Sequence, residues 1–265
     1  MPRCLHALVF TLLGVWTVDA LAAAGVAVTV EVQETGAEAI PQRVLMLGKD
    51  IKLSGAGGEA KDMVFKGSTD EMLAIDHERG EYMLIDRATV EQLAGGVAAI
   101  SQQMDAVLRN LPPEQREMME KMMKGKLPQA TPAPTAPEIR ATGETATHGG
   151  LKTRRFDVFV DGRKRSEFWV ANWNDIDPRV RTAFEHMASF MKGLVDKLPA
   201  KMSDNVRTGG FEAIGDLNGL PMLTREFDAS GKVAGESRVT GITDADVDVA
   251  IFNPPAGYTR RSLPF

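Results

Sequence analysis

The chain has 265 residues, of which 43% are apolar and 25% charged, and its formal net charge is -5 at neutral pH. That balance is ordinary for a globular protein able to bury a sizeable core, and without a basic cluster it argues against nucleic acid or an anionic membrane surface as the main partner. The one cysteine, Cys4, stands ahead of the first apolar run, so neither disulfides nor a lipid-modified cysteine after that run enters the account.

Residues 1–24 read as a secretory signal: Arg3, an apolar run over 7–18, then small residues up to Ala24. Cleavage is expected near Ala22 or Ala24, leaving a single domain over 25–265 that is periplasmic or otherwise exported. The apolar run is short for a bilayer span and nothing later matches its hydrophobicity, so no integral span is expected in the mature chain.

Val26, Val28, Val30 and Val32 then alternate with Ala27, Thr29, Glu31 and Gln33, the period of a strand with one buried face. Shorter strands are expected over 43–47, 49–53 and 62–66. Segments 71–76 and 81–86 flank Gly80 as a hairpin.

Val90, Leu93, Val97, Ile100, Met104, Val107 and Leu111 recur at three- and four-residue spacing, which predicts an amphipathic helix over 89–111. Gly95 and Gly96 conflict with it at about 1 kcal/mol each, and imply a kink or a close helix-to-sheet approach. Pro112 and Pro113 stop that helix. A second one is expected from Glu114 to Lys124, with Met118, Met119, Met122 and Met123 crowded together.

A Pro-rich loop over 125–137 follows, too poor in large apolar residues to join a core. Strands are expected over 138–147, 151–160 and 164–171, the last after the Asp161-Gly162 turn. Asp177 and Pro178 then open a helix to Leu198 whose stripe is Ile176, Val180, Phe184, Met187, Met191, Leu194 and Leu198. Strands at 210–214, 220–228, 232–242 and 246–252 close the chain. Without regular strand-helix alternation, the order predicts an α+β fold: a strongly curved antiparallel sheet of about ten strands, an incomplete barrel covered by two or three amphipathic helices.

Asp76-His77 with Tyr82-Met83, Pro112-Pro113-Glu114-Gln115-Arg116 leading into Met118-Met119-Glu120-Lys121-Met122-Met123, and the closing Pro255-Ala256-Gly257-Tyr258 resemble an uncharacterised family of bacterial periplasmic proteins, a domain of unknown function. Its architecture is similar to that of the LolA and LolB lipoprotein carriers. That resemblance implies an unclosed antiparallel barrel, helices as a lid and an apolar cavity for acyl chains, with no carrier residue transferable by position.

Chemical sites are sparse. No G-x-S-x-G elbow, phosphate-binding glycine loop or metal spacing of histidines occurs, so no enzyme activity, cofactor or metal is expected. His77 and His148 read as turn residues. Asp244, Asp246 and Asp248 read as one solvated strand face. Trp169 and Trp173 fit either an aromatic rim or strand-helix packing, and Arg154, Arg155, Arg163, Lys164 and Arg165 read as edge-strand charges. The methionines pack a lid helix, adapt to apolar ligands, or hold Cu(I). The expected function is binding of a hydrophobic ligand, a lipid or an acylated protein, by Met104, Met118, Met119, Met122, Met123, Phe184, Met187 and Met191. The alternative is a structural or protein-interaction domain with a filled core.

Overall fold

The computed structural model describes residues 22–55, 58, 60–112, 114–115, 137–197 and 215–262. Residues 1–21 of the expected signal segment 1–24, the Met cluster at 118–123, nearly all of the Pro-rich loop, Leu198 and the strand at 210–214 lie outside the described residues.

Twelve strands form one sheet: β1 (Ala22–Glu34), β2 (Ile40–Leu47), β3 (Asp50–Ser54), β4 (Lys61–Lys66), β5 (Glu71–Asp76), β6 (Glu81–Ile85), β7 (Glu138–His148), β8 (Leu151–Val160), β9 (Arg163–Asn172), β10 (Gly219–Phe227), β11 (Val233–Asp248) and β12 (Thr259–Arg261). Their order is β12-β6-β5-β4-β3-β2-β1-β11-β10-β9-β8-β7. All pairs are antiparallel except β12, which runs parallel along β6.

The sheet is open, ending at β12 and β7, so the expected ten-strand incomplete barrel becomes a twelve-strand open sheet. Two of the expected strands, 232–242 and 246–252, are one strand, β11, followed by a 3-10 turn over Val249–Phe252. β12 gave no signal in sequence because it has three residues, all exposed, and no alternation to read.

The β1 alternation holds. Val28 faces Ile242 of β11 on one side and Val44 of β2 on the other, and the 198-residue detour between β1 and β11 closes at the centre of the sheet. At the β8–β9 turn Asp161 and Gly162 both have positive φ, 52° and 72°, the backbone that matches a two-residue hairpin to strand twist.

Among the described residues two long helices accompany the sheet, α1 (Arg87–Asn110) and α2 (Pro178–Val195). Asp86, expected in a strand, is instead the N-cap of α1, accepting from Thr89 N at 2.7 Å, and this advances the helix start to Arg87. The helix runs unbroken past Gly95 and Gly96. A Cβ at either would meet nothing within 4 Å, which overturns the expected kink or close approach. Asp177 caps α2 and Pro178 occupies its first position.

Three apolar clusters follow from the curl of the sheet. One joins β1 to β4, β9 to β11 and α2 through Val26, Met46, Phe65, Trp173, Val180 and Met222. A second, with Val64, Leu73 and Ile75, lies on the outer face beneath Phe252 and Tyr258 of the C-terminal segment. The third puts Leu217 over Val158, Phe168 and Val170. Val64 and Phe65 are adjacent yet 0% and 2% exposed, because this part of the sheet is covered on both faces.

β8 and β9 are interior strands, and of the residues read as edge charges Arg155 and Lys164 belong to an ionic row instead. Asp157, Glu167, Arg225 and Glu236 are successive cross-strand partners in one row. Arg225 reaches Glu167 at 3.1 Å and Glu236 at 2.8 Å, Lys164 bridges Asp157 and Glu167 at 3.0 and 2.7 Å, and Arg155 reaches Glu167 at 3.1 Å. Burial pushes the Glu167 carboxyl up, but its bonds from Lys164 and Trp169 and the charge of Arg155 prevail and hold it below the usual range.

Replacing Gly95 and Gly96 together by Ala is expected to stabilise the protein by about 2 kcal/mol and to raise its thermal midpoint by several degrees, measured by circular dichroism. A lower midpoint would mean that something approaches α1 there.

Candidate ligand groove

The inner face of the curl carries an apolar groove of about 360 Å³. Its floor comes from alternate residues of β1, Val28, Val30 and Val32, flanked by Val44 and Met46 of β2 and Val239 of β11. Ile51, Leu53, Met63, Phe65 and Met72 of β3, β4 and β5 form one wall, Leu220 and Pro221 of β10 the other, and Phe184 and Met187 of α2 close over it. Among the described residues Gln42 and Ser237 are its polar lining residues, and no described lining side chain is charged.

The depth is graded. Val26, Val28, Met46 and Phe65 are 0 to 6% exposed at the packed end, whereas Val30 and Val32 are half-buried and Met63 is 40% exposed at the open end. Such a volume is within the range of small-molecule sites, roughly 300–1,000 Å³.

Of the residues expected to bind ligand, Phe184 and Met187 line this groove, and Met191 is half-buried on α2 outside the lining. Met104 lies on α1, and Met118, Met119, Met122 and Met123 fall outside the described residues. The groove's other methionines, Met46, Met63 and Met72, are on strands. Their only local signal was membership of short apolar runs.

α2 is held over the groove from several sides. Trp173 and Phe184 rings meet at 5.6 Å, and Phe65 packs against Phe190 at 5.1 Å; Trp173 thus packs on the helix, and neither it nor Trp169 lines this groove. Around these apolar contacts stand exposed ionic ties. Arg179 reaches Asp244 of β11 at 2.6 Å and the carbonyl of Gly25 at 3.3 Å, His186 bonds Asp70 at 3.0 Å, and Lys197 pairs with Glu91 of α1. Asp244 is thereby an anchor for the helix, and Asp248 caps the 3-10 turn through Ala250 N, so the aspartate row does more than face solvent.

His77 has a structural partner set that sequence reasoning missed. Its Nε2 lies 3.0 Å from buried Asp62, its Nδ1 lies 3.0 Å from the hydroxyl of Tyr258, and Lys52 reaches Asp62 at 2.8 Å. The cluster ties the C-terminal segment to the β4–β5 sheet region. His148 stacks on Trp169 at 5.1 Å, and burial beside Arg238 and Arg225 lowers its pKa. No group of three His, Cys, Asp or Glu among the described residues is placed to hold a metal ion. No helix among them is long and apolar enough to cross a membrane.

No protein-family model and no curated protein matches this chain in sequence. Solved structures that resemble it include an uncharacterised conserved protein from Thermus thermophilus, at 10% identity over 91% of this chain and 92% of that one, with a TM-score of 0.43. The Pseudomonas aeruginosa MucA/MucB complex matches at 11% identity and TM-score 0.38, over 89% of this chain but 58% of that one. A LolA superfamily protein from Nitrosomonas europaea matches at 7% identity and TM-score 0.26, over 88% and 90%. A LolA superfamily structure is thus among the resemblances, while no family is assigned, and no residue role, ligand or partner passes to this chain from any of them.

Burial pushes the Asp62 carboxyl up, but hydrogen bonds and charges from Lys52 and His77 outweigh it and hold the carboxyl below its usual range. The stability this gives is full above the ordinary carboxylate pKa of about 3.9 and is lost as pH falls through the lower folded value. Asp62→Asn is therefore expected to cost about 1–3 kcal/mol at pH 7, with the difference from the parent shrinking below about pH 4, measured by urea denaturation across pH.

Proposed function

We propose that this protein is an exported, non-enzymatic binding protein that takes an acyl chain or similar hydrophobic ligand, from a lipid or an acylated protein, into the groove between β1 and α2. The observation that carries the reading is a groove of about 360 Å³ whose lining among the described residues has no charged side chain and whose floor continues from packed core to half-exposed valines. A methylene moved from water onto such a surface gains about 0.8 kcal/mol, so a chain of moderate length supplies affinity without a polar anchor.

The exported, periplasmic placement rests on the signal-like pattern of residues 1–24. Export would also give the protein access to lipids and acylated chains. In this reading the sheet is the fixed wall and α2 the cover. The exposed ion pairs of Arg179 and Lys197 are each worth at most about 1 kcal/mol, so movement of the cover is opposed mainly by the apolar burial of Val180, Ala183 and Leu194.

The neutral probe N-phenyl-1-naphthylamine is expected to bind the full chain saturably with a rise in fluorescence. Val30→Asp places a carboxylate on the groove floor and is expected to weaken that binding at least tenfold with the circular dichroism spectrum retained. An absent signal from the parent, or equal binding by the variant, would favour a filled-core interaction domain instead.

A further inference from the structure

We infer that the groove selects an uncharged single-chain amphiphile, with its polar end at Gln42 and Ser237 and its tail directed at Phe65. This rests on the groove being the ligand site, and adds to it the class of head group.

The polar residues of the lining are not scattered. Gln42 is on β2 beside Val30, and Ser237 is on β11 beside Val32, so they flank the half-exposed end of the β1 floor from its two sides. At the opposite, packed end stand Met46 and Phe65, 6% and 2% exposed. The groove therefore has a direction: amide and hydroxyl at the mouth, apolar side chains at depth.

The side chains at the mouth fit a neutral group. The carboxamide of Gln42 donates to the carbonyl of Gly55 at 3.2 Å, which fixes its orientation, and the Ser237 hydroxyl has no hydrogen-bond partner among the described residues. Together they offer donors and acceptors to an ester, an amide or a hydroxyl. A carboxylate or phosphate at the same place finds no cation among the described lining residues to offset the hydration it gives up, whereas an ester, amide or hydroxyl gives up little.

Lys61 is the cation to be considered. It stands two positions before Met63 on β4, about 7 Å along the strand, and directly across from Asp76 of β5. It belongs to a surface that holds Asp62, Asp76 and Glu81 together with Arg79 and Arg261, and is absent from the groove lining. An anionic head group at Lys61 would also meet those carboxylates.

The experiment is displacement of N-phenyl-1-naphthylamine from the full chain by 1-monopalmitoylglycerol and by palmitate, each below its micelle concentration, at pH 7.5. The monoacylglycerol is expected to displace the probe at a concentration at least tenfold lower, and the combined variant Gln42→Leu, Ser237→Ala is expected to reduce that preference about tenfold. Palmitate binding as tightly as the monoacylglycerol would overturn head-group selection while leaving the groove reading intact. Tight palmitate binding lost in Lys61→Met would overturn it too, by assigning the polar end to Lys61. Failure of the parent to bind the probe at all would remove the groove reading itself, and this inference with it.

Discussion

Among the described residues one helix, α2, covers part of a sheet face that is wider than the helix. From β5 to β10 the sheet takes six strand-to-strand steps, about 28 Å if flat, against a helix roughly 10 Å across. Residues from both of those strands nevertheless line one groove beneath α2, so the sheet must curl to bring them together. Curling draws the apolar side chains inward and the helix seals what it can reach. The packed cluster around Phe65, Trp173 and Val180 is the sealed portion, and the strip of Val30 and Val32 is the remainder.

The two kinds of force are distributed accordingly. Burial of large apolar side chains seats α2, while ion pairs sit at its margins, where water screens them and they fix orientation more than they add stability. The ionic row from Asp157 to Glu236 is different in degree, because Glu167 is only 5% exposed and is satisfied by Lys164, Arg155, Arg225 and the Trp169 indole. It binds four strands at one level of the sheet. β10 and β11, which carry Leu220, Pro221, Ser237 and Val239 of the groove, are tied through this row to β8 and β9.

Much of this was legible in local pattern. The alternation at Val26 to Val32 identified β1 and half the groove floor, and the stripe on α2 identified Phe184 and Met187. The wall strands were harder to read for role, since β4 and β5 are buried on both faces and Val64 and Phe65 follow one another without alternation. Methionine crowding drew attention to residues 118–123, whereas the groove's methionines are single residues on separate strands, adjacent only after the sheet curls. The link from His77 to Tyr258 spans 181 positions, and its partners Asp62 and Lys52 are on other strands, so spacing along the chain carried no sign of it. Charges on β8 and β9 were assigned to an edge because strand order is not written in any one segment.

The pairing of β1 with β11 sets a timetable. The first strand to leave the ribosome finds its long neighbour only after some 200 further residues, a delay on the order of ten seconds or more at ordinary elongation rates. During that interval its second edge, with four valines on one face, stands open beside β2. Contacts this distant along the chain also slow the closing step itself. A polypeptide with this topology keeps that edge of β1 unpaired until β11 has been made.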